Sequence, residues 1–172
     1  MTTQMYQITP EIQMYSSKET SINSTKLPVI FKKVNWSVLP LNFTVLDYGA
    51  GKYLNHIADF IHEKGGIYYG YDKYNQTPEH NENCLSCNPD IIICSNVLNV
   101  IKENEILRHV MRVMSSYNKP IFIKIYEGDK SGVGKETKPN CWQRNLPKEC
   151  YVVNSNYKIK HGIITTAPDL VV

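Results

Sequence analysis

The stretch Thr44-Val45-Leu46-Asp47-Tyr48-Gly49-Ala50-Gly51 decides how this chain folds. Its β-branched, aliphatic and aromatic start reads as a short strand, and the glycines end that strand in a tight turn. Beyond the turn, Leu54, Ile57, Ala58 and Ile61 recur on one helical face, and Lys64-Gly65-Gly66 supplies a basic last turn and a glycine stop. Strand, glycine turn and helix open an α/β unit.

The pattern repeats along the chain. Ile67-Tyr68-Tyr69-Gly70-Tyr71-Asp72 is a second, aromatic-rich strand that ends in an acid, and Asp90-Ile91-Ile92-Ile93-Cys94-Ser95-Asn96 is a third, apolar on both faces. Two-faced apolarity belongs to a parallel strand between helix layers. Ile106, Leu107, Val110, Met111 and Met114 mark another helix, and Lys119 to Tyr126 returns as a strand. The alternation predicts a right-handed, doubly wound, mostly parallel α/β sheet. Tyr157 to Thr165 alternates more weakly and is expected as one antiparallel C-terminal edge strand, which Lys158 and Lys160 would suit.

Residues 1–27 are polar, with Ser16, Ser17, Thr20, Ser21, Ser24 and Thr25 clustered, and are expected as an N-terminal arm outside the core. Residues 28–172 are expected as a single domain, with a loop insertion at 128–149. The start of that insertion, from Tyr126 to Lys138, carries three glycines and alternating charges, and reads as a mobile loop that acts as a lid or binds substrate. Within it Lys130, Lys135, Lys138, Arg144 and Lys148 outnumber Asp129, Glu136 and Glu149, a bias suited to an acidic or phosphorylated substrate.

A length of 172 residues with 42% hydrophobic content allows one buried core, and a net charge of +3 is too small to define a nucleic-acid protein by itself. No apolar run approaches the ~20 residues of a membrane span, and Met1 to Met14 lacks the features of a signal peptide, so a cytoplasmic protein with no membrane partner is expected. Five irregularly spaced cysteines fit reduced thiols. Cys84-x-x-Cys87 with His80 lacks a second ligand pair, so no metal is expected, and Cys94, inside a strand, reads as inert packing.

Ligands of open α/β sheets lie outside the carboxyl ends of the strands. Asp47, Gly49, Gly51, Asp72, Ser95, Asn96, Tyr126 and Glu127 all fall there and should converge on one crevice. The glycines let backbone approach a ligand closely, and the following helix offers unpaired amides to a carboxylate. Asp72 stands about 20 residues past the turn, where an acid grips a ribose. An acid devoted to a ligand would leave stability nearly untouched on removal. Leu54 occupies the third position of G-x-G-x-x-G, which argues against a dinucleotide and for a nucleoside cofactor that carries a carboxylate.

Val45 to Gly51, Tyr71-Asp72 and Cys94-Ser95-Asn96-Val97-Leu98-Asn99-Val100-Ile101 together resemble motifs of the class I, Rossmann-like S-adenosylmethionine-dependent methyltransferases. The chain is similar to small phage and bacterial members of undefined substrate, which show comparable SNVLNVI and YEGDKSGVGKET runs; a phage-encoded protein would work in the host cytoplasm. The resemblance spans roughly residues 20–165. It implies S-adenosylmethionine as cofactor, with Asp47, Gly49, Ala50 and Gly51 around the methionine moiety, Asp72 and Lys73 at the ribose, and Cys94, Ser95 and Asn96 beside the methyl-bearing sulfur. From their placement at strand ends, Asn96 and Tyr126 are expected to orient the acceptor and Glu127 or Asp129 to take its proton, and Lys130, Lys135 and Arg144 on the insertion are expected to bind it. Tyr53 stands where the methyltransferase turn usually has its third glycine. No Pro-Pro-aromatic tetrapeptide follows Ile93 and no Pro-Cys pair appears, which disfavours exocyclic-amine and cytosine-C5 methylation of DNA.

Methyl transfer to an unidentified acceptor, with nucleic acid or nucleotide ahead of other small molecules, is thus the leading expectation. The alternatives are a non-catalytic module that binds the cofactor or a protein partner, and an enzyme that degrades S-adenosylmethionine.

Overall fold

The computed structural model describes residues 13–18 and 24–172. Its strands are β1 (Thr44–Tyr48), β2 (Ile67–Tyr71), β3 (Ile91–Ser95), β4 (Ile121–Lys124), β5 (Lys135–Lys138), β6 (Cys141–Gln143), β7 (Lys158–Lys160) and β8 (Ile163–Thr165); its α-helices are α1 (Asn55–Glu63), α2 (Pro78–Leu85) and α3 (Asn104–Ser116). Six strands form one mixed sheet in the order β2-β1-β3-β4-β8-β7, parallel from β2 through β4 and antiparallel beyond.

Handedness explains the layers. The step from β1 to β2 runs one way along the sheet, whereas those from β2 to β3 and from β3 to β4 run the other way. Right-handed crossovers therefore place α1 on one face and α2 and α3 on the other. The buried side chains divide accordingly. Ile57 and Ile61 of α1 join Val45, Ile91, Ile93 and Phe122, with Phe31 and Trp36 from the chain before β1. Cys84 and Leu85 of α2 and Ile106, Val110, Met111 and Met114 of α3 join Leu46, Ile92, Cys94 and Ile123. Every residue of β3 is buried, as its two-faced apolarity predicts. Truncating one of its isoleucines to alanine would cost about 3 kcal/mol through lost burial and a residual cavity.

Two elements differ from the sequence reading. The segment 157–165 is a hairpin and not one edge strand: His161 and Gly162 adopt positive φ of 50° and 79°, the pair that a two-residue turn of right-handed strands requires. β8 pairs with β4, and β7, with Lys158 and Lys160, forms the edge. Helix α2 is not marked by periodicity, because its Pro-Glu-His-Asn-Glu-Asn-Cys-Leu lacks an apolar stripe; its start signal is Thr77, whose hydroxyl accepts from His80 N, followed by Pro78. Among the described residues no helix is long and apolar enough to cross a membrane.

Candidate functional site

The strand order reverses at β1, so the chain leaving β1 and the chain leaving β3 meet at the carboxyl edge of the sheet. Gly49 follows β1 with φ 98°. A Cβ placed there would sit inside the van der Waals shell of Val97 Cγ2, two residues past β3. Glycine is thus required by backbone conformation and by the close approach of a protein side chain, whereas the sequence suggested close approach of a ligand. Gly51 is also left-handed, at φ 86°, and Asn96 turns the chain after β3 at φ 57° while its N–H donates to Lys124 O at 2.8 Å.

Asp72 organises this edge. Its Oδ1 accepts from Tyr74 N, Asn75 N and Asn75 Nδ2 at 2.9–3.0 Å, and its Oδ2 accepts from Gly51 N at 2.8 Å. Asn81 of α2 clamps the same residue, accepting from Asp72 N and donating to Asp72 O. The carboxylate therefore ties the glycine turn to the end of β2, so the expectation of an acid serving only a ligand is corrected. Oδ2 takes one protein hydrogen bond and keeps capacity for another.

A first cleft of about 610 Å³ opens here, lined by Gly49, Asp72, Lys73, Asn75, Asn96 and Val97, and walled by Tyr48, Tyr71, Tyr74, Val100, Ile101 and Val110. Its lining combines the polar Asp72 and Asn75 with the aliphatic Val97, Val100, Ile101 and Val110. Tyr48 and Tyr71 pack with ring centroids 4.6 Å apart, and burial pushes the Tyr71 hydroxyl up to about 12. Lys73 Nζ lies 5.1 Å from the Tyr74 ring centre. A second cleft of about 780 Å³ lies beyond Asn96, which lines both; Ala50, His56, Ser95 and Lys124 border it. A third, shallow one is bordered by Lys52, Tyr53, Leu54 and Gln76.

Three expected ligand residues stand differently. Asp47 lines none of these clefts; it is buried on β1, with Tyr68 Oη donating to its Oδ2 at 2.5 Å and no partner for Oδ1 among the described residues. Burial pushes its carboxyl up to about 7, against the lowering effect of the Tyr68 hydrogen bond. Cys94 is wholly buried on the α3 side of the sheet, where burial pushes its thiol well above the usual range. It is packing and lines none of the clefts, where the resemblance implied a place beside the cofactor's sulfur. Gly51 is held to Asp72 through its amide.

Of the expected catalytic set, Asn96 alone reaches the clefts; Tyr126, Glu127 and Asp129 line none of the three. Tyr126 is 64% exposed. Glu127 is pinned by the Lys148 amide at 2.9 Å and its ammonium at 3.4 Å, which hold its carboxyl below the usual range. Asp129 is lowered likewise by Ser131, whose amide donates to it at 2.9 Å. Neither is tuned as a base for neutral pH. Arg144 spends its guanidinium on Ile101 O, Lys102 O and Asn104 Oδ1, bracing the chain before α3. Lys130 is exposed, 3.9 Å from Glu127, and Lys135 is exposed on β5.

The insertion itself is built, not irregular. β5 and β6 form a hairpin, and the buried Asn145 donates to Val133 O at 2.9 Å while its carbonyl accepts from Gly132 N at 2.8 Å. Gln143 bonds both Tyr126 O and Asn99 Nδ2. The sequence also hid a partner for this hairpin in the polar N-terminal span, whose described part, 13–18, crosses it. Tyr15 stacks on Trp142 at 5.2 Å, Ser17 N donates to Asn140 O at 3.0 Å, and Lys102 Nζ sits 4.7 Å from the Trp142 ring centre. Ser17 is buried, and Gln13, Ser16 and Ser17 line the first cleft. The remaining expectations for residues 1–12 and 19–23 lie outside the described residues.

No family model matches this chain, and no curated protein or solved structure was found to be similar to it.

Proposed function

We propose that this protein is an S-adenosylmethionine-dependent methyltransferase of Rossmann-like class acting in the cytoplasm. The carrying observation is the first cleft: a glycine turn, an acid-ended β2 and the Asn96-Val97 corner, gathered where the strand order reverses. Its aliphatic lining, with Val97, Val100, Ile101 and Val110, suits a purine ring. Its polar groups, with Asp72 Oδ2 and Asn75, suit ribose hydroxyls. Leu54 in place of a third glycine leaves no pyrophosphate turn. A mostly parallel sheet with an antiparallel C-terminal edge is the arrangement that the resemblance to these enzymes implies.

When bound, S-adenosylmethionine supplies an electrophilic methyl group, so the protein's task is alignment and exclusion of water. Asn96, shared by both clefts, holds the acceptor in line. Gly49, Val97 and the 13–18 segment enclose the cofactor. The pinned Glu127 and Asp129 play no part, and the acceptor's proton leaves to solvent.

Calorimetric titration with S-adenosylhomocysteine tests the cofactor, and mass analysis of nucleotides and nucleic acid after incubation with S-adenosylmethionine tests the transfer. Binding with a methylated product supports the proposal; absence of binding overturns it. A non-catalytic cofactor-binding role is favoured by one observation, that Asn96 alone of four catalytic candidates lines the clefts, and binding without any product would establish it. A nucleoside product other than S-adenosylhomocysteine would indicate degradation of the cofactor.

A further inference from the structure

We infer that the second cleft is a binding site for a phosphate-bearing small molecule, and that this molecule is the methyl acceptor; its role as acceptor, though not the anion site itself, rests on the function proposed above. The cleft, open to solvent and about 780 Å³ in volume, is bordered by Lys26, His56 and Lys124, with no acidic residue among its lining. The ion pairs of the described residues all join Glu127 or Glu149 to Lys130 or Lys148, so none neutralises Lys26 or Lys124. An uncompensated cationic concavity raises the local concentration of anions.

The interior adds hydrogen-bond donors. Ser95 is only 4% exposed and lines the cleft, and its hydroxyl has no hydrogen-bond partner among the described residues. Lys124 is its Cα partner across the parallel ladder, so the two side chains rise from the same face of adjacent strands. His56 and Ile57 come from the first turn of α1, a nine-residue helix with no side-chain cap, whose positive end adds to the field. A buried hydroxyl, a lysine beside it and a helix start form the donor set that phosphate oxygens accept from.

Position supplies the rest. Asn96 lines both clefts, so a molecule anchored by phosphate among Lys124, Ser95 and His56 extends its remaining part toward Asn96 and the cofactor cleft. The anchoring charge is held away from the reacting atom, and binding energy from a remote group positions the reactive one.

The test uses the full chain, with inorganic phosphate and uridine 5′-monophosphate as probes, because neither carries the adenine that the first cleft suits. Calorimetry is run with each probe, with S-adenosylhomocysteine, and with both together, on the native protein and on Lys26→Gln and Lys124→Gln. We expect both probes to bind, more weakly as salt rises. We also expect about tenfold weaker probe binding in Lys124→Gln, a smaller loss in Lys26→Gln, and unchanged S-adenosylhomocysteine affinity in both. Additive binding of uridine 5′-monophosphate and S-adenosylhomocysteine supports two sites. Mutual exclusion would overturn the acceptor assignment and give the cations to the cofactor's own carboxylate. Probe binding that is absent, or indifferent to both substitutions, would overturn the anion site even where S-adenosylhomocysteine binds. Probe binding without S-adenosylhomocysteine binding would keep the anion site and refute the methyltransferase. Lys26→Gln lies in an exposed segment, so the test survives if Lys124→Gln fails to fold.

Discussion

Replacing Asp47 with asparagine should change how stability depends on pH, in a direction that the buried site dictates. Asp47 is 2% exposed, and burial raises its carboxyl from 3.8 to about 7. Its folded pKa therefore lies above the unfolded one. Between about pH 4 and about pH 7 the unfolded chain gives up this proton while the folded chain keeps it, so stability falls as pH rises through that window and is flat above it. The gap corresponds to about 4 kcal/mol. In the Asp47→Asn variant the amide would not titrate, and its oxygen would still accept from Tyr68 Oη. Other ionisable groups titrate alike in both proteins and cancel in the difference. Urea unfolding of both proteins at intervals from about pH 4 to about pH 8 should thus show the variant gaining about 4 kcal/mol relative to the native protein, nearly all of it below about pH 7. A difference that stays constant across the series would refute the reasoning, since it would mean that Asp47 ionises as an exposed carboxylate does.

Asp72→Ala should lower stability by about 3 kcal/mol as well as weaken S-adenosylhomocysteine binding, because it strands the buried amide of Gly51 and the half-buried amides of Tyr74 and Asn75; an unchanged urea midpoint would contradict that structural role. Gly49→Ala should cost about 2 to 4 kcal/mol through positive-φ strain and the clash with Val97, and adding Val97→Ala should recover part of it; strictly additive losses in a double-mutant cycle would exclude the clash. Trp142→Ala removes the ring on which Tyr15 stacks, so limited proteolysis should cut within residues 13–18 several-fold faster, and equal rates would show that the stack does not hold the segment. Lys130→Ala with Lys135→Ala should leave S-adenosylhomocysteine affinity within about twofold, as both side chains are exposed and line none of the clefts; a larger change in the titration would place the hairpin on the cofactor.

Sequence by itself determined the elements whose signals are local. The apolar run of β3, the amphipathic stripes of α1 and α3, the glycine stop after β1 and the acid ending β2 are set by neighbours in the chain, and alternation with right-handed crossovers then fixes the parallel part of the sheet. Placing Gly49, Asp72 and Asn96 at one edge followed from the same rule. What only the tertiary structure decided are contacts between distant segments. The hydrogen bonds that turn Asp72 into a structural anchor come from Gly51 and Asn81 as much as from its neighbours. The need for glycine at 49 arises from Val97 as well as from its own backbone angle, and the value of polar Ser17 and Tyr15 arises from a hairpin more than 120 residues away. Charged side chains on and beside the insertion looked chemically ready, yet Glu127 and Arg144 are consumed by bonds to Lys148 and to the chain before α3, 21 and 43 residues away, whereas Lys124 and His56, inconspicuous in one dimension, share a cleft. Periodicity is a property of consecutive residues and survives in the sequence; partnership of a polar group depends on which backbone the fold brings beside it, and that is known only once the sheet is assembled.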